Sequence, residues 1–388
     1  MSSRRPAPPQ HATAASLEAW WVARAWLLSR GLLLLVALLV MLTQRRSGHD
    51  LLSAWDVAHF EAIATKGYAD PLDQAFFPGL PLLLRLADAF AIPMGLAGVG
   101  ISAVCSALAA WALLRLGGPV AAGLWLFAPT TVFTSIAYTE APFCAAAFWA
   151  WERGTRGRWG QAALLVGVAC GFRISGLFLI GGLGLLALTQ ASRSWLRRLG
   201  DAALVACAGI VLFGYVAYLH HLTGSWSAWF EAQQSGWNRG FTNPVDALQN
   251  TMDAARPSRW PDRPSVAAVF GLEVVSMLVG VLTTVVLLVR RSWAQAGWVG
   301  VQVFAFATSY WFMSVNRAVL LWFPLWLLVG SLAAHGWPRS WSSVHHEGRV
   351  PFGGSVMLAR IGVVLFGLVS LMGMVWWAWL YFTGAWAS

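Results

Sequence analysis

Apolar runs long enough to cross a bilayer recur along nearly the whole chain, and no soluble fold accommodates so many of them. A helix needs about 20 apolar residues to span the hydrocarbon, whereas a soluble core helix needs only an apolar stripe on one side. Composition agrees. Charged residues are 11% and hydrophobic residues 58% of the chain, with mean hydropathy +0.62, whereas a soluble domain carries roughly 25% charged residues. The 25 tryptophans fit the same environment, because indole rings prefer the headgroup level. The expected fold class is therefore all-α, a polytopic integral membrane protein with about 11 transmembrane helices. They read as 19–43, 94–115, 119–136, 138–152, 160–171, 173–190, 200–220, 265–289, 294–313, 318–334 and 357–382.

Residues 1–18 are polar and proline-bearing and read as a disordered cytoplasmic tail. Residues 1–15 lack the short apolar core and small-residue cleavage site of a signal peptide, and the first apolar run is long enough to stay as an anchor. The remainder, 19–388, reads as one transmembrane domain with two long connections, 44–93 and 221–264. Within the first, 44–76 is polar, and 77–92, with Pro78, Pro81 and a closing Pro93, has the look of a re-entrant piece. No internal repeat stands out, which disfavours a solenoid or an obvious inverted-repeat transporter.

A net charge of +10 raises the question of nucleic acid, but the placement of the charge argues against it. Lys66 is the only lysine, and the arginines sit at the ends of apolar runs, as a topology signal does. With the N-terminus inside, Arg4, Arg5, Arg115, Arg153, Arg156, Arg158, Arg193, Arg197, Arg198, Arg290, Arg291, Arg339 and Arg349 all fall in the cytoplasm. Arg45 and Arg46 are the main exception. Both long connections then face outward from the cell membrane. Cys105, Cys144, Cys170 and Cys207 lie inside apolar runs without the close pairing of a metal site, and read as small core residues.

Candidate chemistry concentrates where the first apolar run ends, in Trp55-Asp56-Val57-Ala58-His59-Phe60. From Ser53 to Lys66 there is no proline or glycine, and Trp55, His59, Phe60 and Ile63 recur at helical spacing, so an interfacial helix is expected. Asp56 opens it, either as a charge matching the helix dipole or as a catalytic base. His59 shares its face and reads as a substrate contact, while Glu61 and Asp70 read as solvated.

Glu140, in Tyr138-Thr139-Glu140, stands at an outer helix N-terminus, where capping and function both fit. Arg173 lies between two apolar halves on the outer side, against the positive-inside rule. An arginine there must meet an anion such as a phosphate, or bond to helix-end carbonyls. Arg317, in Ser314-Val315-Asn316-Arg317, is also outward. In the second outer loop, Gln233 and Gln234, then Trp237 and Asn238, precede Arg239-Gly240-Phe241; rings interleaved with amides and an arginine suit sugar hydroxyls and phosphate together, and describe an ordinary interfacial loop equally well. His220-His221 lacks acidic or cysteine company and reads as interfacial rather than metal-binding.

In this order, Trp55-Asp56 with Ile63-Ala64 and Gly67-Tyr68, Ala75-Phe76-Phe77-Pro78 with Pro81, Tyr138-Thr139-Glu140, Arg173 with Ser175-Gly176, and Trp237-Asn238 with Gly240-Phe241 resemble the PIG-V family. These are GPI-anchor mannosyltransferases and bacterial relatives of the GT-C class of membrane glycosyltransferases. The resemblance spreads over about 50–330. It implies transfer of a sugar, most naturally mannose, from a polyprenyl-phosphate donor to a lipid or glycan acceptor, with Asp56 matching the acid used as a base in the first outer loop. Membrane lipids are implied partners and nucleic acid is not. No cofactor is implied, and dependence on a divalent metal is left open. The sequence departs from the eukaryotic pattern at His59-Phe60, where a Trp-Tyr type pair is common, and at Arg173-Ile174-Ser175, which replaces an Arg-Ser-Asn type run. These departures bear on the acceptor and not on the catalytic logic.

The chemistry is coherent with such a donor, since a lipid-linked phosphate leaves readily: Asp56 would take the acceptor proton, and Arg173 with Arg317 would stabilise the departing phosphate. Two other classes share parts of the pattern. A non-catalytic lipid or sugar flippase would keep the spans and outward arginines but has no use for the Asp56 loop, and a membrane acyltransferase would call on His220 or His221.

Overall fold

The computed structural model describes residues 10–335 and 353–387. Residues 1–9 of the expected tail, and Arg4, Arg5, Arg339 and Arg349 of the expected cytoplasmic set, lie outside them. Among the described residues the regular structure is helical, with one isolated antiparallel bridge between Phe241 and Ser309.

The chain begins with α1 (Gln10–Gln44), which takes in the last part of the segment expected as tail. Two short helices follow, α2 (Gly48–Leu52) and α3 (Asp56–Lys66), then α4 (Gly79–Ala89) and the long α5 (Met94–Leu126). Next come α6 (Glu140–Thr155), α7 (Trp159–Cys170), α8 (Ser175–Thr189), and α9 (Trp195–Ala206) with α10 (Ile210–Thr223). α11 (Ala228–Trp237) and α12 (Pro244–Ala254) occupy the second long connection. The last part holds α13 (Pro264–Val289), α14 (Trp293–Ala307), α15 (Val315–Ala318), α16 (Phe323–His335) and α17 (Gly353–Thr383).

Among the described residues, five spans are long and apolar enough to cross a membrane: α1, α5, α9 with α10, α13 and α17. A sixth arises if α15 and α16, bent by 66°, form one span. The apolar stretch of α17 is only 11% buried, and such an exposed apolar face needs lipid as its solvent. The protein is a multi-pass membrane protein. The count of 11 is not reached by this measure, because several of the apolar runs fold into shorter helices. α7 and α8 have 12 and 15 residues, α6 has 16 and α14 has 15. The piece expected to re-enter is α4, whose 11 residues extend about 16 Å.

The boundary expected between spans 94–115 and 119–136 is a kink inside α5. Gly118 takes φ 81 there and Pro119 follows. The chain leaves the helix after Leu126 and runs through a 3-10 turn at Thr131–Thr134 before α6 begins. Cys144 and Cys170 are buried as expected, but Cys105 is half-buried and Cys207 exposed, because a small side chain is tolerated on a lipid-facing surface as readily as in the core.

α6 is the centre of the bundle and is buried along most of its length. Its alanines, Ala141, Ala145, Ala146, Ala147 and Ala150, let neighbouring helices approach, and Phe143, Phe148 and Trp151 fill the gaps against Trp125, Trp298 and Phe323. Two glycine contacts then set the position of the site. Gly98 of α5 leaves room for Ala137, where an added Cβ would meet the Ala137 Cβ at 2.2 Å. Gly79 opens α4 against the turn between α7 and α8: its N–H donates to the Gly171 carbonyl at 2.8 Å, and an added Cβ would lie 2.6 Å from that oxygen.

Gly79→Ala should therefore lower the thermal unfolding midpoint by the equivalent of about 1–3 kcal/mol, the cost of overpacking against backbone. Gly181→Ala in α8, where nothing lies within 4 Å, is the control and should be neutral or stabilising. Equal midpoints for the two variants would show that the Gly79 contact does not constrain the fold.

Candidate active site

Asp56 owes its place to an unusual backbone. Trp55, just before α3, takes φ 58 and ψ −129, a region that side-chain-bearing residues avoid. Two tyrosines hold this corner: the Tyr381 hydroxyl donates to the Ala54 carbonyl at 3.3 Å, and the Asp56 N–H donates to the Tyr138 hydroxyl oxygen at 3.3 Å. Asp56 is thereby turned toward Arg317, whose Nη1 donates to Asp56 Oδ2 at 3.0 Å. Oδ1 is engaged by none of the described residues.

Glu140 is the first residue of α6 and has no exposed surface. Arg173 Nη1 donates to Glu140 Oε1 at 2.7 Å and to Thr139 Oγ1 at 2.8 Å. Arg173 thus meets a carboxylate of the protein itself and not helix-end carbonyls. Arg317 Nε lies 3.8 Å from the same Glu140 oxygen, and the guanidinium sits 5.1 Å and 5.3 Å from the ring centres of Phe133 and Tyr138. Asp56, Arg317, Glu140 and Arg173 therefore form one continuous chain of opposite charges, drawn from four parts of the sequence.

The segment carrying Arg317 is held from behind. Glu273 of α13, fully buried, accepts the N–H of Ser314 at 3.0 Å and that of Asn316 at 2.8 Å, capping the four-residue α15 from a neighbouring helix. Ser276 Oγ donates to Asn316 Oδ1 at 2.7 Å, and Thr130 Oγ1 to the Asn316 carbonyl at 3.0 Å.

Beside the charged chain lies a cavity of about 100 Å³. Asp56, Thr139, Arg173, Arg239 and Arg317 supply its polar wall; Phe60, Phe76, Phe77, Phe172, Trp229 and Trp237 supply the aromatic one. Phe76 is fixed through its backbone, for its carbonyl accepts the hydroxyls of Tyr68 at 3.0 Å and Tyr215 at 2.8 Å. Ala75 presents its carbonyl to Trp229 Nε1 and Gln233 Nε2, both at 3.2 Å, which docks α11 on this wall.

Of the residues singled out from sequence, Asp56, Arg173, Trp237 and Arg317 line the cavity, and Glu140 stands directly behind Arg173. His59 and Asn238 do not line it. His59 turns to Asp73, with Nδ1 at 2.8 Å from Oδ1, and stacks on Phe76 at 4.8 Å, so it supports the aromatic wall from outside. Asn238 is exposed and takes φ 50 at the end of α11, a left-handed helix cap to which asparagine is suited. Glu61 accepts a hydrogen bond from Ser53 Oγ at 3.0 Å, and Asp70 caps the turn at Pro71–Ala75. His220 stacks on Trp226 at 4.0 Å, and among the described residues no group of three His, Cys, Asp or Glu side chains could hold a metal ion.

Sequence reasoning missed Asp73 and Glu273. Glu273 carried the one available signal, an acid inside a strongly apolar span.

The strain at Trp55 is testable by two substitutions that remove the same indole. Glycine ordinarily costs 0.5 to 1 kcal/mol, roughly, relative to alanine. At this position Trp55→Gly should be more stable than Trp55→Ala by about 1 kcal/mol in thermal unfolding. The ordinary order, alanine above glycine, would mean the corner stores no strain.

No protein-family profile matches the chain. It is 36% identical over 149 residues to GPI alpha-1,6-mannosyltransferase 2 of Rattus norvegicus, and equally to those of Mus musculus and Homo sapiens. The match takes in 34% of this chain and 30% of each relative's length.

Proposed function

We propose that this protein is a membrane mannosyltransferase, with a polyprenyl-phosphate mannose as donor and a lipid or glycan as acceptor on the outer side of the membrane. The observation that carries this reading is the ionic chain Asp56, Arg317, Glu140, Arg173 on the wall of one cavity. The partial identity to GPI alpha-1,6-mannosyltransferase 2 supplies the sugar and the reaction class.

In this mechanism the acceptor oxygen attacks the anomeric carbon while the bond from that carbon to the phosphate oxygen breaks. The electron pair leaves with the lipid phosphate, and the acceptor proton passes to the Asp56 carboxylate through Oδ1. A single displacement turns a β-linked donor into an α-linked product. Arg317 orients Asp56 by holding Oδ2, and the cationic wall stabilises the phosphate as it departs. The aromatic wall excludes water from the reacting carbon and offers ring faces to the sugar.

The outward orientation is supported by the far end of α6. Arg115, Arg153 and Arg156 gather there on Glu152, at 2.7, 3.3 and 2.9 Å. At about 1.5 Å per residue that carboxylate is about 18 Å along the axis from Glu140, and the positive-inside rule assigns the arginine-rich end to the cytoplasm. On this reading the short apolar helices α6, α7, α8 and α14 complete crossings together with the adjoining loops, which brings the span count toward the 11 of the hydropathy pattern.

Asp56→Asn keeps the shape and removes the basicity, so transfer from radiolabelled polyprenyl-phosphate mannose to a membrane-lipid extract should fall about a hundredfold or more at unchanged protein level. Near-normal transfer by this variant would remove Asp56 as the base. For orientation, a cysteine at the exposed Ser235, in a background without the four native cysteines, should react with an impermeant thiol reagent added to intact cells, and one at Thr155 should not. The reverse labelling pattern would put the cavity on the cytoplasmic side.

A further inference from the structure

The cavity wall carries three guanidinium groups and one carboxylate, with a second carboxylate immediately behind. Two of the three cations are matched: Arg317 by Asp56 at 3.0 Å, Arg173 by Glu140 at 2.7 Å. Arg239 is not. Its Nη2 donates to the Met313 carbonyl at 3.3 Å and to Ser314 Oγ at 3.2 Å, and among the described residues no acidic side chain pairs with it. Nη1 and Nε are engaged by none of them.

Ser314 Oγ also accepts from Arg317 Nη2 at 3.1 Å, so two cations share one hydroxyl oxygen. Burial, then the like charges of Arg317 and Arg173, push the Arg239 pKa down to about 10. Asp56 and then Glu273 offset part of this, but neither is paired with Arg239: Asp56 is held by Arg317, and Glu273 accepts the backbone N–H groups of Ser314 and Asn316. Arg239 is thus the one cation of the wall without a paired acid among the described residues, crowded by its own kind, with part of its fork of donors uncommitted.

We propose that Arg239 selects the donor by binding a singly charged phosphodiester, while Arg173 and Arg317 stay on their carboxylates. This inference rests on the donor class proposed above and adds to it a residue and a charge state. A planar fork suits two phosphate oxygens at once. One guanidinium without a paired acid matches one negative charge; a diphosphate would bring further charge into a partly enclosed, aromatic-walled cavity, which is costly. Arg239 follows the left-handed Asn238 that ends α11, and Trp229 and Gln233 of α11 are docked on the Ala75 carbonyl, so the guanidinium is delivered to the cavity by a fixed element.

The test is equilibrium binding to the purified full-length protein in nanodiscs, read by tryptophan fluorescence because Trp229 and Trp237 line the cavity. The probes are farnesyl methyl phosphate, a singly charged phosphodiester without sugar, and farnesyl diphosphate. The wild type should bind the phosphodiester about tenfold or more tightly than the diphosphate, and Arg239→Gln should lose about tenfold or more of phosphodiester affinity at an unchanged unfolding midpoint. Arg239→Lys, which keeps the charge and loses the fork, should fall between them, and it carries the test if the glutamine variant does not fold. Wild-type affinity in the lysine and glutamine variants, or preference for the diphosphate, would overturn the role of Arg239 while leaving mannosyl transfer by the wild type standing. A wild type that binds neither probe would overturn the donor class and this inference together. Arg239-dependent binding without any mannosyl transfer would uphold the inference and refute the transferase reading.

Discussion

Glu140 is a carboxylate with no exposed surface, at the head of a helix buried along most of its length. Burying an ion of that kind costs several kcal/mol unless it is paired and hydrogen-bonded, roughly, and the N-terminal N–H groups of α6 supply only part of the compensation. The rest comes from Arg173, brought up by the turn between α7 and α8, and from the more distant Arg317. Arg317 in turn fixes Asp56. One buried charge therefore draws together segments that are scattered through the sequence, and the geometry around the Asp56 carboxylate is a consequence of neutralising Glu140. The glycine contact between Gly79 and Gly171 belongs to the same arrangement, since it seats the turn that carries Arg173.

A second requirement follows from the membrane environment, where irregular backbone is tolerated only if its polar groups find partners in the protein. Both non-helical stretches at the cavity meet it with long polar side chains from elsewhere. The carbonyls of Gln74, Ala75 and Phe76 are taken by Tyr215, Tyr68, Trp229 and Gln233, and the N–H groups of Ser314 and Asn316 by Glu273. These residues touch no reacting group. They convert two loops into fixed walls, one presenting Phe76 and the other Arg317.

What could be read from sequence was whatever local pattern encodes. A helical, many-spanned chain is written in the apolar runs, and Asp56 and Arg173 attract attention because each is a charge at an odd place beside one. Pairings are not local. That Arg173 meets Glu140 depends on how α6, α7 and α8 pack, and nothing in their spacing states it. Asn238 was attractive as an amide beside a tryptophan, but its left-handed cap role is a backbone property that only the end of α11 reveals. His59 was expected on one face with Asp56, yet it turns away from the cavity to Asp73 of the following 3-10 turn. The span count suffered from a related ambiguity: an apolar run of 12 to 16 residues reads alike whether it crosses the bilayer alone or shares the crossing with a loop.

The distribution of arginine becomes more regular once pairing is taken into account. At one end of α6, three arginines share the single carboxylate of Glu152, an excess of positive charge that the proposed orientation puts at the cytoplasmic surface. At the other end, on that orientation, Arg173 and Arg317 would violate the positive-inside rule only if counted as free charges; each is paired with an acid, Glu140 or Asp56. Arg46 is accounted for in another way, for it donates to the Phe382 carbonyl at 3.0 Å in the last turn of α17, where the helix dipole favours a cation. Arg239, on the cavity wall, has neither a paired acid nor a helix terminus among its described partners. Retaining such a charge in a membrane protein is costly, and on the proposal that Arg239 takes the donor phosphate the bound anion would offset that cost.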